Sequence, residues 1–256
     1  TVEQNMRIVL QAQKVPKEEQ IRRCMEAADM LGITDVLHRK PRELSGGQRQ
    51  RVALGRAIVA RTPLCLMDEP LSNLDAKLRT KMRSELRRLQ RQLGMTVIYV
   101  THDQTEAMTM ADRMMILHAG RPQQIGAPLD IYNHPDTPFV ASFIGTPPMN
   151  LAEAHVLEHV LLLQNERPIH LMHRSLPKAE RVTIGLRPEH IHPAERGEGH
   201  VTAKVAHIEW LGNETLVTFE LTKRLHWTAR WNGQWNMKLG EVASFSFDER
   251  ALLFFD

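Results

Sequence analysis

The sequence predicts an α/β front portion followed by an all-β tail. Three observations carry that expectation. Helical and strand-like patterns alternate through the front portion. Two short apolar runs, residues 64–67 and 96–100, each lead into polar, chemistry-bearing residues. Beyond Thr146-Pro147-Pro148 the pattern changes to many short runs separated by turn residues, including Gly212-Asn213 and Asn232-Gly233. The expected division is therefore residues 1–148 and 149–256. Within the first part, about 1–60 is helical and about 61–148 is mixed.

Each element has a local reason. Pro16 ahead of Lys17-Glu18-Glu19 marks a helix start, because acids in a first turn are favoured by the helix dipole. Ile21, Met25, Ala28 and Leu31 recur at helical spacing and predict the buried face, with Gly32 as the cap. A further helix begins after Ser45, runs through Val52, Ala53 and Ala57 to about Arg61, and is ended by Pro63. Residues 64–67 predict a buried parallel strand. Leu74, Leu78, Met82, Leu86, Leu89 and Leu93 mark one face of a long helix that stops at Gly94. Its other face carries Lys77, Arg79, Lys81, Arg83, Arg87, Arg88 and Arg91. A nucleic-acid stripe is one reading of those cations; a solvated basic face is the simpler one. Residues 96–100 predict a second buried strand, and residues 114–117 and 123–125 flank Ala119-Gly120 as a hairpin. In the tail, residues 182–186, 201–210, 215–221, 225–231 and 242–247 predict the strands of a small β-barrel. All four tryptophans, Trp210, Trp227, Trp231 and Trp235, lie there. Most are expected in the core rather than stacking on bases.

Bulk composition narrows the class. Hydrophobic residues make up 42% and charged residues 25% of 256, which is ordinary for a globular protein. No apolar stretch approaches the roughly 18 residues that span a bilayer, and no signal-peptide pattern is present, so a soluble, cytoplasmic chain is expected. Cys24 and Cys65 are too few and too far apart for a disulfide framework. A net charge of +3 allows contact with phosphates or an anionic surface without demanding either.

Four short strings carry candidate chemistry. Ser45-Gly46-Gly47 stands just before a helix, where glycines let a ligand approach the backbone and the first N–H groups are unpaired donors. Taken alone, Ser45 is equally a plain helix cap followed by two flexible residues. Asp68 ends an apolar strand and so projects from its carboxyl end, where open α/β sheets bind ligands. Its neighbour Glu69 completes an acidic pair, which could also be two exposed turn acids ahead of Pro70. His102 follows the second strand at the same end of the sheet, although a histidine in such a place is often only structural.

Order and spacing join these strings. Leu44-Ser45-Gly46-Gly47-Gln48-Arg49-Gln50-Arg51 resembles the signature loop of ABC-transporter ATPases. Asp68-Glu69-Pro70-Leu71-Ser72-Asn73-Leu74-Asp75 and Thr101-His102-Asp103-Gln104-Thr105-Glu106-Ala107-Met108 resemble that family's Walker B, D-loop and switch segments. Phe139-Val140-Ala141-Ser142-Phe143-Ile144-Gly145 and Gly185-Leu186-Arg187-Pro188-Glu189-His190 are similar to importers of the sugar and sn-glycerol-3-phosphate type. The resemblance implies a P-loop NTPase fold with a helical subdomain, followed by an OB-like regulatory domain. It implies ATP and Mg²⁺ as cofactors. Asp68 would hold the metal, Glu69 would polarise the attacking water and His102 would contact the γ-phosphate. Ser45, Gly46, Gly47 and Gln48 would bind nucleotide, and Asp75 would communicate across a dimer of ATPase subunits. Transmembrane permease subunits and, indirectly, an external solute-binding protein are the implied partners, with the chain peripheral on the inner face of the membrane and no nucleic acid involved.

One departure stands out. The 256 residues contain no Gly-Lys pair, so the phosphate-cradling motif G-x-x-x-x-G-K-[ST] is not among them. Nor do they hold the family's adenine-stacking aromatic or Gln loop. The expectation is the C-terminal portion of an importer ATPase, inactive by itself and short of sheet neighbours. Such a chain would be poorly soluble or self-associated. The alternative is a non-catalytic regulatory or dimerisation module of a transporter.

Overall fold

The first helix, α1 (Val2–Ala12), opens on a capping box in which Thr1 and Gln4 satisfy each other, and it buries Val2, Met6 and Leu10 one turn apart. A second helix, α2 (Lys17–Met30), starts at the predicted point. Its buried stripe is Gln20, Cys24, Ala27 and Ala28, continued by Leu31, while Ile21 and Met25 face outward. Ala28 and Leu31 are buried as predicted, and Ile21 and Met25 are the corrections. Ile21 and Met25 each sit one residue, or about 100°, round from Gln20 and Cys24, the positions that are buried in their place. A third helix, α3 (Gly46–Ala60), ends where Arg61 turns left-handed at φ 46°. Gly55 packs close to α1 and Leu31: a Cβ there would lie 2.9 Å from the Met6 methyl and 3.1 Å from Leu31, so those side chains would have to shift.

Two parallel strands follow, β1 (Leu64–Asp68) and β2 (Thr96–Val100), paired in register from Leu64–Thr96 to Asp68–Val100. Between them runs α4 (Ala76–Leu93), capped by the Asp75 side chain at one end and by left-handed Gly94 at the other. It buries Met82, Leu86 and Leu89, as the leucine stripe predicts. A short helix, α5 (Gln104–Met110), is capped by Asp103. The strands depart from expectation on one point: Cys65 and Met67 are buried against the helices, but Leu64, Leu66, Ile98 and Val100 are exposed. An apolar run does not say how many of its faces are covered, and here only one is, among the described residues.

The computed structural model describes residues 1–255 except 159, 165, 172, 173, 196 and 197. The elements above belong to one compact unit, Thr1–Asp112, and those below to another, Arg113–Asp256.

The second unit begins with the predicted hairpin, β3 (Met114–His118) and β4 (Arg121–Gly126). Ala119 and Gly120 both take positive φ, the turn geometry that suits two-residue hairpins. Two short helices follow, α6 (Pro128–Asn133) and α7 (Pro138–Phe143). The remainder is β5 (Asn150–Leu157), β6 (Val160–Leu163), β7 (Arg167–His170), β8 (Arg181–Leu186), β9 (Ile191–Ala194), β10 (Val201–Trp210), β11 (Glu214–Glu220), β12 (His226–Asn232), β13 (Val242–Phe247) and β14 (Leu253–Phe255). They form two five-stranded antiparallel sheets rather than the predicted barrel, in the orders β12-β11-β10-β13-β9 and β14-β8-β5-β6-β7. Both sheets contribute to one core that includes Leu161, Ile184, Phe219, Trp227 and Phe245. Trp227 and Trp231 are buried in it; Trp235 packs its ring 5.0 Å from Trp231 but is partly exposed, and Trp210 is exposed.

Arg187 explains why two separated strings of this unit go together. It is buried, with its guanidinium 3.8 Å over the Tyr132 ring. It donates to the carbonyls of Tyr132 (2.6 Å), Ala141 (3.3 Å) and Ile144. Burial pulls its pKa down. The Tyr132 hydroxyl bonds to Glu189, and burial first, then that bond, pushes the phenol up to about 12. Gly145 has φ 113°, and a Cβ there would stand 2.8 Å from Arg187 Nη1, so the turn admits only glycine.

Candidate functional site

The carboxyl ends of β1 and β2 bring the acidic pair and the histidine together. Asp68 is the last residue of β1. Glu69 follows at φ 44°, a left-handed conformation that costs a non-glycine residue about 1 kcal/mol or more. Its N–H donates to Val100 O at 2.9 Å, so sheet pairing continues one residue past the strand before the chain turns. The turn aims the Glu69 carboxylate at His102, whose Nδ1 lies 2.9 Å from Oε1. A carboxylate only accepts, so Nδ1 carries the proton. The bond to Glu69 and its charge raise the pKa of His102 above the ordinary imidazole value. Both side chains remain open to solvent. The Asp68 carboxylate, also exposed, makes no hydrogen bond or ion pair among the described residues.

The signature string folds as a helix start. Ser45 Oγ accepts from Gln48 N (3.2 Å), and Gln48 Oε1 accepts from Ser45 N (2.9 Å). Ser45 and Gln48 therefore cap α3, and the two glycines present its open N-terminal backbone. A Cβ on Gly46 would meet nothing within 4 Å, whereas one on Gly47 would stand 3.4 Å from Asn73 O. The sequence alone gave Gln50 no role, but it joins the two motifs: its Nε2 donates to Glu69 O (2.9 Å) and Ser72 Oγ (3.3 Å), and its Oε1 accepts from Asn73 N (3.1 Å). No local spacing signals this, because the partners lie 19 to 23 residues away. Asp75 serves as the cap of α4, accepting from Leu78 N at 2.9 Å. Arg79 closes the far side, donating to Ser72 O (3.4 Å), Leu74 O (3.0 Å) and Asp103 Oδ2 (3.4 Å).

Glu69 and His102 share a shallow recess with Ser72, Arg79, Thr101, Asp103 and Glu106. Ser45, Gly46, Gly47, Gln48 and Asp75 do not line it; they connect to its rim through Gln50 and Asn73. Among the described residues, no three or more His, Cys, Asp or Glu side chains gather as a metal cage. Mg²⁺ does not need one, since it keeps several waters and uses one or two carboxylates plus phosphate oxygens. An ionisable carboxylate at a strand end with no partner among the described residues, as at Asp68, fits that chemistry.

Comparisons with known proteins bear on the same segments. Residues 1–72 match the model of the ABC transporter family, residues 145–191 that of the MalK OB fold domain and residues 184–255 that of the TOBE domain. The trehalose/maltose import ATP-binding protein MalK of Thermococcus litoralis is 49% identical over 230 residues, covering 85% of this chain and 62% of the relative. The sn-glycerol-3-phosphate import ATP-binding protein UgpC of Ruegeria pomeroyi is 50% identical over 221 residues, covering 86% of this chain and 62% of the relative. UgpC of Bordetella avium is 44% identical over 256 residues, covering 98% of this chain and 70% of the relative. The chain thus spans less than two thirds of the length of the first two.

Proposed function

This chain belongs to the ABC-transporter ATP-binding family, and from that premise we propose that it is part of an ATP-hydrolysing subunit that powers import of a carbohydrate or glycerol phosphate. The observation that carries the reading is the convergence of Asp68, Glu69 and His102 at one end of a parallel sheet, with Glu69 Oε1 2.9 Å from His102 Nδ1.

Phosphoryl transfer to water needs positioning and charge neutralisation more than covalent help. Asp68 would hold Mg²⁺ through water, and the ion would neutralise phosphate charge. Glu69 uses Oε1 to accept from His102, which leaves Oε2 to accept a proton from the attacking water. His102, oriented by that bond and with its pKa raised by Glu69, would in its protonated form donate Nε2–H to the γ-phosphate. The open backbone at Gly46 and Gly47, at the positive end of the 15-residue α3, suits phosphates of a nucleotide bound to a second subunit. Asp75, through the loop it caps, would report nucleotide state to that subunit. The phosphate-cradling loop is not among these 256 residues, so hydrolysis belongs to the complete protein and this stretch by itself is inactive. The partners in this reading are a paired ATPase subunit, transmembrane permease subunits and, indirectly, an external solute-binding protein. The working place is the cytoplasmic face of the membrane, with no role for nucleic acid.

The test is transport-coupled hydrolysis. The complete protein, reconstituted in vesicles with its permease and solute-binding protein, is expected to hydrolyse ATP with Mg²⁺ and to take up a sugar or glycerol phosphate. Absence of both activities in an intact, folded complex would overturn the reading.

A further inference from the structure

Glu106 is a carboxylate only 3% exposed, and no cation lies within ion-pair distance of it among the described residues. A buried charge is costly unless hydrogen bonds satisfy it. Here one oxygen, Oε2, accepts from both Tyr99 OH (2.9 Å) and Thr101 Oγ1 (2.8 Å). Thr101 Oγ1 in turn accepts from Asp103 N at 3.0 Å. Asp103 Oδ1 closes the ring by accepting from Thr105 N (2.8 Å) and from Glu106 N itself (3.2 Å). The residues on either side of His102 are thus tied, directly or through one hydroxyl, to a single buried oxygen. His102 lies outside this ring, with its side chain 72% exposed and Glu69 as its hydrogen-bond partner among the described residues.

We propose that Glu106 is a positioning residue for His102: its buried carboxylate locks the turn from Thr101 to Asp103 so that His102 Nδ1 meets Glu69 and Nε2 is left free. The importance of this lock for hydrolysis rests on the function proposed above; the lock itself does not. A purely architectural Glu106 would stabilise α5 without governing the ring of His102, and this difference can be measured.

The experiment reads the ring nitrogens of His102 by ¹H–¹⁵N correlation in the histidine-labelled protein. The signal is assigned by its loss in His102→Gln, and spectra are taken at a pH where the ring is neutral. The expected result for wild type is a proton held on Nδ1. Glu106→Ala removes the acceptor. Thr101→Val and Tyr99→Phe each remove one hydroxyl but keep the Glu106 charge, which matters because Glu69, Asp103 and Glu106 all raise the pKa of His102. Glu106→Ala and Thr101→Val are expected to release the ring to a mixture of tautomers, and Glu106→Gln, which keeps an acceptor of the same shape, to restore much of the lock. In the complete protein the same two variants should lose roughly tenfold or more in kcat with KM for ATP within about twofold. A wild-type ring without its proton on Nδ1, or an unchanged tautomer and kcat in folded Glu106→Ala, would overturn the proposal. If Glu106→Ala does not fold, an unchanged tautomer in both Thr101→Val and Tyr99→Phe would do so. A parent protein that hydrolyses no ATP would sink the functional reading while the tautomer test still decides the role of Glu106.

Discussion

Replacing Arg187 with methionine deletes a buried guanidinium and leaves its volume largely filled. The carbonyls of Tyr132, Ala141 and Ile144 lose their side-chain donor, and the cation over the Tyr132 ring is gone. An orphaned buried acceptor costs about 1–3 kcal/mol, so three of them set an upper bound of roughly 9 kcal/mol. Two effects work against that bound. Methionine has no charge to desolvate, whereas burial lowers the Arg187 pKa. Arg187 Nε is also buried without a partner, and that deficit disappears too. The net expectation is a loss of about 3 kcal/mol, within the range for breaking a buried polar network. For a protein of this size that lowers Tm by roughly 10 °C. Differential scanning calorimetry on wild type, Arg187→Met and Arg187→Lys measures it, with lysine in between, because an ammonium cannot bond several carbonyls and stack flat on a ring at once. A methionine variant that melts within about 2 °C of wild type would refute the reasoning.

Three further outcomes follow from the same geometry. Gln50→Ala removes three hydrogen bonds between α3 and residues 69–73, and should cost about 1–2 kcal/mol and speed amide exchange in that loop; unchanged exchange would show that Gln50 is not the tether. The pKa of His102, followed by NMR, should lie above the ordinary value of about 6.5 and fall towards it in Glu69→Gln. The sign is that of a raised folded pKa: the pair's contribution is fully present below about pH 6.5 and is lost as pH rises through the folded value. The same pKa in both proteins would dismiss the pair. The 256-residue chain on its own should self-associate through Leu64, Leu66, Ile98 and Val100, and Leu66→Lys should disperse it; a clean monomer with a cooperative melt would contradict this.

The elements that were legible in the sequence are those whose signals are local. The α4 helix shows its apolar stripe and its Gly94 stop. The β3–β4 hairpin shows Ala119-Gly120, and β10 and β13 begin and end where their apolar runs do. What stayed hidden depends on what lies opposite. Ile21 and Met25 have the same helical spacing as the buried Ala28 and Leu31, yet the first half of the packed stripe of α2 is one residue away, at Gln20 and Cys24. The run at β1 is apolar throughout, yet only Cys65 and Met67 are covered. Closure of the tail strands into a barrel or their division into two sheets depends on pairings between distant residues. At the site, Asp68, Glu69 and His102 could be named from strand ends and motif order. Gln50, Glu106 and Arg187 could not be given roles, because their partners are set by tertiary contacts or by a turn whose shape the sequence does not state.

The central claim is that Glu69 activates the water that attacks ATP. The measurement that tests it most directly compares the complete wild-type protein with Glu69→Gln for ATP retained and ATP hydrolysed in the presence of Mg²⁺. The account predicts that the variant binds and retains ATP while its turnover falls by about 10²-fold or more. Wild-type turnover in Glu69→Gln would contradict it.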